Sequence, residues 1–146
     1  MLTIQNPSHD PFYNQAFEEY IYQTFLDDDI FLLWQNSPSV IVGCYQNICR
    51  EVHVESLRRR GIPVVRRMTG GGTVYHDLGN VNYTYIIRTN STLNYDDVLT
   101  PVVRALNTLG IPARKNRTCD IAIGDLKISG SAQRLVKGRL LHHGTL

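Results

Sequence analysis

The sequence predicts an α+β domain, with a mixed or mostly antiparallel sheet flanked by helices. Two observations carry that reading. Strand-like segments come in hairpins as often as across helices, and Gly124-Asp125 is a two-residue hairpin turn signal. Segment 81–87 alternates, so that Val81, Tyr83, Tyr85 and Ile87 share one face. A doubly wound parallel sheet would instead place a helix between successive strands.

The elements follow in chain order. Asp10-Pro11 starts a helix, because Asp caps free amides and Pro suits the first helical position. Phe17, Tyr20, Ile21 and Phe25 recur near the helical period and extend it to about Leu26, where Asp27-Asp28-Asp29 stops it. Segments 30–34 and 39–42 are short buried strands joined by a turn at Asn36-Ser37-Pro38. Segment 51–60 is a helix with acid early, Arg58-Arg59-Arg60 late and Gly61 as its cap. Segment 62–67 is extended beside Pro63. A glycine loop follows, and 73–76 resumes as strand. Segment 95–109 is a helix with Val98, Val102, Ala105, Leu106 and Leu109 inward and Gly110 as stop. Segments 121–123 and 126–131 flank the hairpin turn, and 140–146 is a last strand.

Composition narrows the function. The 146 residues are 42% hydrophobic and 19% charged, which excludes a disordered chain. The formal charge of +2 is too small to argue for nucleic acid or an anionic membrane. The longest wholly apolar run is 30–34, far short of the roughly 20 residues of a membrane helix. The first ten residues lack the basic and apolar regions of a signal peptide. Cys44, Cys49 and Cys119 are odd in number and form no C-x-x-C, and the five histidines show no zinc spacing. A reduced, cytoplasmic setting is the expectation.

The densest chemistry lies in 66–77, Arg66-Arg67-Met68-Thr69-Gly70-Gly71-Gly72-Thr73-Val74-Tyr75-His76-Asp77. Three glycines let backbone approach a ligand, and their amides can converge on an anion. Arg67 adds a fork suited to phosphate or carboxylate. This is neither a P-loop nor G-x-G-x-x-G. A second cluster is Lys127, Ser129 and Ser131, which strand alternation places on one face, opposite Leu126 and Ile128. Lysine beside small hydroxyl residues suits an oxyanion. Asp120 on the partner strand can hold Mg²⁺ or an ammonium, or cap a turn. Of His142 and His143, one should face the core and one should not.

Together these segments resemble the lipoate–protein ligase A family. The resemblance rests on 31–43 with Gln46-Asn47, on 66–77 with Gly79-Asn80, on Lys127-Ile-Ser-Gly-Ser-Ala132 and on His142-His143-Gly-Thr-Leu146. It implies the α+β catalytic domain shared with biotin ligases. It also implies a chemistry: lipoate attacks the α-phosphate of MgATP to give lipoyl-AMP, and a lysine of a lipoyl domain then takes the acyl group. The implied acceptors are 2-oxoacid dehydrogenase E2 subunits and the glycine cleavage H protein. By the same resemblance Lys127 is the catalytic residue. Arg67, Gly70, Gly71, Gly72, Thr73, Val74, Tyr75, His76, Asn80 and Asp120 bind ATP or lipoyl-AMP, with Asp120 the candidate for Mg²⁺. Trp34, Phe17, Ser129 and His143 line the lipoate slot.

Cys119-Asp120 stands where the family commonly has Asn-Asp. The resemblance also implies that residues 1–146 are the N-terminal portion of the catalytic domain, truncated at the C-terminus, with the remainder and an accessory domain absent. A last strand at 140–146 would then leave an open sheet edge, a route to self-association. Two alternatives compete. One is an octanoyl or lipoyl transferase working through a cysteine thioester, against which the cysteine positions argue. The other is a non-catalytic ligand-binding fragment.

Overall fold

The computed structural model describes residues 1–89, 94–116 and 120–146. Its largest sheet has five strands in the order β1-β2-β6-β11-β10. These are β1 (Leu2–Gln5), β2 (Ile30–Trp34), β6 (Asn82–Arg88), β10 (Ser131–Val136) and β11 (Arg139–Thr145). Only β1 and β2 run parallel; the other neighbours are antiparallel. Beside this sheet β3 (Ser39–Val42) pairs with β4 (Val64–Arg66) in parallel and with β5 (Val74–His76) antiparallel. A third sheet orders β7 (Ala113–Lys115), β8 (Ile121–Ile123) and β9 (Leu126–Ser129) as an antiparallel meander. The expected mixed, mostly antiparallel α+β architecture is what forms.

The five-stranded sheet is covered on both faces. On one, α1 (Pro11–Thr24) packs Ile21 and Tyr22 against Ile30, Leu32, Trp34, Ile86 and Leu141. On the other, α4 (Tyr95–Thr108) packs Leu99, Val102 and Leu106 with Tyr83, Ala113 and Ile121. Each fully buried aliphatic chain of this kind contributes about 2 kcal/mol. Arg139 ties α1 to β11: its Nε donates to the Tyr22 carbonyl (2.8 Å), Nη1 to that of Leu26 (3.4 Å) and Nη2 to that of Phe25. These are carbonyls that a helix end leaves unpaired.

Several expectations are corrected. Helix α1 starts where predicted, with the Asp10 carboxylate accepting from the amides of Phe12 and Tyr13. Its buried face, however, is Pro11, Asn14, Gln15, Glu18, Ile21 and Tyr22, while Tyr20 and Phe25 are exposed. Tyr20 and Phe25 face outward because polar residues share the inner face, where Ile21 and Tyr22 are buried and Phe17 packs partly buried. Helix 51–60 is two helices, α2 (Ile48–Glu51) and α3 (Val54–Arg59). Val52 is extended, and the His53 ring caps α3 by accepting from the Ser56 amide. Gly61, at φ +64°, ends α3 as predicted. In α4 the inward set includes Leu99, whereas Ala105 and Leu109 are exposed.

Strands β2 and β3 enter different sheets rather than one hairpin. Segment 126–131 breaks at Gly130: β9 stays with β8 while β10 joins β11. Strand β11 has a neighbour on each side, β6 and β10, so the sheet edge falls at β10 and not at 140–146 as expected. Because both faces of the sheet are covered, both His142 and His143 are buried, His143 against Glu18 of α1 and His142 against Tyr95 of α4. Among the described residues no helix is long and apolar enough to cross a membrane.

Candidate active site

A cleft of about 300 Å³ opens where the three sheets meet. Trp34 and Asn82, paired across β2 and β6, and His143 of β11 form its floor. The glycine loop and β5 form one wall, and the turn from Lys127 to Ala132 forms the other. The break at Gly130 brings Lys127 here. The Lys127 ammonium lies over Gly130, 3.4 Å from where a β-carbon would stand, and pairs with the Asp120 carboxylate at 2.9 Å.

Arg67 shapes the glycine loop. Its Nη2 donates to the carbonyls of Gly70 (2.7 Å) and Gly72 (2.8 Å). Its Nε donates to Thr69 Oγ1 (3.0 Å), and Nη1 donates to the Ile41 carbonyl (3.3 Å). Arg67 is only 7% exposed, and burial lowers the pKa of its guanidinium, with Cys44 and Glu18 pulling the other way. A desolvated cation wrapped in carbonyls favours an anion in the adjoining cleft. Gly71 adopts φ +93°, a left-handed conformation that glycine tolerates. The Gly71 carbonyl would lie 2.2 Å from a β-carbon on Gly43, so two loops meet backbone to backbone. Gln46 Oε1 locks that meeting by accepting from the Gly43 amide (2.9 Å) and from Thr73 Oγ1 (2.8 Å).

Beneath the cleft runs a buried chain of hydrogen bonds. Trp34 Nε1 donates to Thr84 Oγ1 (3.0 Å), whose hydroxyl donates to Glu18 (2.5 Å). Glu18 accepts from His143 Nδ1 (3.0 Å). His143 Nε2 accepts from Thr69 Oγ1 (2.7 Å), which in turn accepts from Arg67 Nε. Each group has one consistent direction, and the chain joins floor to glycine loop. Glu18 is wholly buried.

His76 lies beside Trp34, with ring centroids 6.3 Å apart. Burial lowers its pKa to about 4, reinforced by His143 and Arg67 and opposed by Glu18 and Asp77. The imidazole is therefore neutral at pH 7. Among the described residues neither His76 Nε2 nor the Asn82 amide has a partner, although both residues line the cleft.

Most expected site residues converge here. Lys127, Arg67, Gly71, Gly72, Thr73, Val74, His76, Asp120, Trp34 and His143 line the cleft. The others do not. Phe17 stacks on Tyr13 and packs, partly buried, against the core under α1, outside the cleft lining. Gly70 turns its carbonyl to Arg67. Tyr75, half exposed, lines a separate groove with His53 and Leu57. Asn80 accepts from the Asp77 amide (3.1 Å) and supports that turn. Ser129 is buried beside Tyr83, on the α4 side of the sheet, where burial pushes the phenol up to about 12. Asp120 is the one carboxylate lining the cleft among the described residues, and no cluster of three metal-ligating side chains occurs among them. Sequence reasoning missed Gln15, Glu18, Thr69, Asn82 and Thr84. Their signal was available as polar residues spaced to share a face with core residues. Cys44 and Cys49 lie outside the cleft lining, and Cys119 lies outside the described residues.

Comparison with known proteins places this geometry. The family model for the lipoyl protein ligase A/B catalytic domain matches residues 10–146. The lipoate-protein ligase LplJ of Bacillus subtilis is 42% identical over 150 residues, covering 100% of this chain and 45% of its own length. The chain thus spans about half the length of the curated relatives it matches. Plasmodium falciparum LipL1, solved in complex with lipoate, aligns with a TM-score of 0.90 at 32% identity, over 99% of this chain and 47% of that one. A lipoate-protein ligase A bound with ATP gives 0.86 at 31%, over 99% and 64%. A bipartite lipoate protein ligase from Thermoplasma acidophilum, described with its E2 lipoyl domain, gives 0.87 at 31%, over 99% and 59%.

Proposed function

The chain belongs to the lipoyl protein ligase A/B catalytic-domain family, and from that premise we propose that it forms the acyl-adenylate site of an ATP-dependent lipoate–protein ligase. The first step joins a carboxylate oxygen of lipoate to the α-phosphorus of MgATP. The bond to pyrophosphate breaks and lipoyl-AMP remains. In the second step the ε-amine of a lysine on a lipoyl domain attacks the acyl carbonyl. The amine loses a proton and AMP departs. The acceptors are lipoyl-domain proteins, E2 subunits and the glycine cleavage H protein among them.

Neither step needs an enzyme nucleophile; both need alignment and charge stabilisation. Lys127 supplies the catalytic cation for the phosphoryl and acyl oxygens. Arg67 holds Gly70, Gly71 and Gly72 in a shape that lets the adenylate approach backbone, and Thr73, Val74 and His76 run beside it. Trp34 and His143 border the acyl slot. Mg²⁺ enters with ATP; Asp120 fits the single carboxylate that such a phosphate-bound ion commonly takes from protein. Asp120 also pairs with the Lys127 ammonium, at 2.9 Å.

The observation that carries this reading is the cleft itself, in which the glycine loop, Arg67 and Lys127 meet. Lipoate-dependent exchange of labelled pyrophosphate into ATP tests it, and exchange is expected. Its absence, with acyl label trapped on a cysteine, would establish the transferase chemistry instead. Cys44 and Cys49 lie off the cleft, which favours the ligase.

A further inference from the structure

Three buried asparagines lie between the start of α1 and the cleft: Asn6 at 8% exposure, Asn14 at 1% and Asn36 at 0%. Backbone groups of fixed character set their directions. The Ser8 amide donates to Asn6 Oδ1 (3.0 Å), so Asn6 Nδ2 is left to donate, to Asn14 Oδ1 (2.8 Å). Asn14 Nδ2 then faces only acceptors: the carbonyls of Ser8 (3.0 Å) and Gln35 (2.8 Å), and Asn36 Oδ1 (2.9 Å). Asn36 is thereby turned so that its Nδ2 meets His76 Nδ1 at 3.1 Å. An imidazole nitrogen that accepts carries no proton, so a neutral ring must hold its proton on Nε2. That nitrogen is buried and has no acceptor among the described residues, in a side chain that lines the cleft. Buried N–H groups in proteins are nearly always paired, which points to a ligand atom as the missing acceptor.

We propose that the Asn6–Asn14–Asn36 relay holds His76 as an uncharged donor through Nε2, and that this N–H binds an oxygen of the ligand, either the acyl carboxylate or a phosphoryl oxygen of the nucleotide. His76 is then a binding residue, and Asn36 is a positioning residue that acts through it. A neutral donor adds a hydrogen bond without adding charge beside Arg67. The ligand half of the proposal rests on the acyl-adenylate reading; the relay and the tautomer do not.

Long-range proton–nitrogen correlation on ¹⁵N-histidine protein reads the tautomer directly. The wild type should show His76 protonated on Nε2; protonation on Nδ1, or a mixture, overturns the relay whatever binds. Lipoate alone and AMP alone are then titrated, by calorimetry and by following the Nε2 proton. One of the two should shift that proton, which identifies the source of the oxygen; binding of both with no shift overturns the ligand half. If neither probe binds the wild type, the acyl-adenylate reading fails and takes the ligand half with it. Asn36→Asp replaces the donor by an acceptor of the same shape and should move the proton to Nδ1. The probe that shifted should then bind about tenfold or more weaker. Should the ring instead take a second proton, Nε2–H survives and affinity should hold. Affinity that falls with Nε2 protonated, or holds with it bare, contradicts the proposal.

Discussion

Thr84→Val removes one oxygen from the buried chain beneath the cleft and changes almost nothing in volume. The wild-type hydroxyl accepts from Trp34 Nε1 at 3.0 Å and donates to Glu18 at 2.5 Å. The variant leaves the indole N–H without a partner at a position 4% exposed. An unmade buried hydrogen bond of that kind costs about 1–3 kcal/mol, and losing a bond to a carboxylate about 1.5–3 kcal/mol. Glu18 keeps its bond to His143 at 3.0 Å, so the carboxylate is not stranded. The expected loss is therefore about 3 kcal/mol, not the sum of the two upper bounds. With a urea slope of about 2 kcal/mol per molar, the unfolding midpoint should fall by about 1.5 M. Thr84→Ser, which keeps the hydroxyl, should lose less than half as much. A Thr84→Val midpoint within about 0.3 M of wild type, a change of about 0.6 kcal/mol, would refute the view that this chain holds floor and α1 together.

Further expectations follow from the loop and the buried histidines. Gly71→Ala forces a β-carbon at φ +93° and 2.9 Å from Arg67 Nη2, and should cost about 2 kcal/mol in urea unfolding. Gly72→Ala meets open space and should unfold within about 0.5 kcal/mol of wild type. Arg67→Lys keeps a charge but loses the fork that reaches both Gly70 and Gly72, so AMP binding by calorimetry should weaken about tenfold. His76 and His142 have pKa values lowered to about 4 and about 3, by burial first and then by the nearby His143. Below the unfolded value of about 6.5 the unfolded chain binds protons that the folded chain refuses, so stability falls as pH drops. From pH 7 to pH 5 each histidine removes about 2 kcal/mol, read as a falling urea midpoint, and His142→Gln should remove about half of that slope.

The framework was legible where pattern and burial agree. Strands β2, β3 and β8 are short apolar runs, and α1 and α4 carry clear start signals. It was not legible where a strand is exposed or the chain changes sheet. Strand β1 is a mostly exposed edge of four residues, and β10 begins one residue after β9 ends. The site divides in the same way. Arg67, the glycine loop and Lys127 stood out because glycine and charge are rare in that arrangement. The floor did not, because alternation assigns one face of β6 to solvent. Tyr83 and Tyr85 mark the core face by their size; Asn82 and Thr84 look like the wet face but are buried under α1. The same rule misplaced α1, where Asn14, Gln15 and Glu18 turn inward and the aromatic residues Tyr13 and Tyr20 turn out. A polar face is read as solvent until a second layer is known to cover it, and here Gln15 and Asn82 of that face line the cleft. Ser129 failed for a different reason: a β-bulge sets Ser129 opposite Ile121 and Lys127 opposite Ala122, so the extra residue Ile128 breaks the alternation between them.

The proposed function rests on Lys127 as the cation for acyl-adenylate chemistry in this cleft. The most direct measurement is the rate of lipoate-dependent pyrophosphate exchange for wild type and Lys127→Ala, with folding checked by urea unfolding. Lys127 is more than half exposed, so its truncation should leave the fold intact. Loss of a transition-state charge contact of this kind lowers rates by about 10²–10³-fold, and that is the expected result. A folded Lys127→Ala protein that exchanges at the wild-type rate would contradict the account.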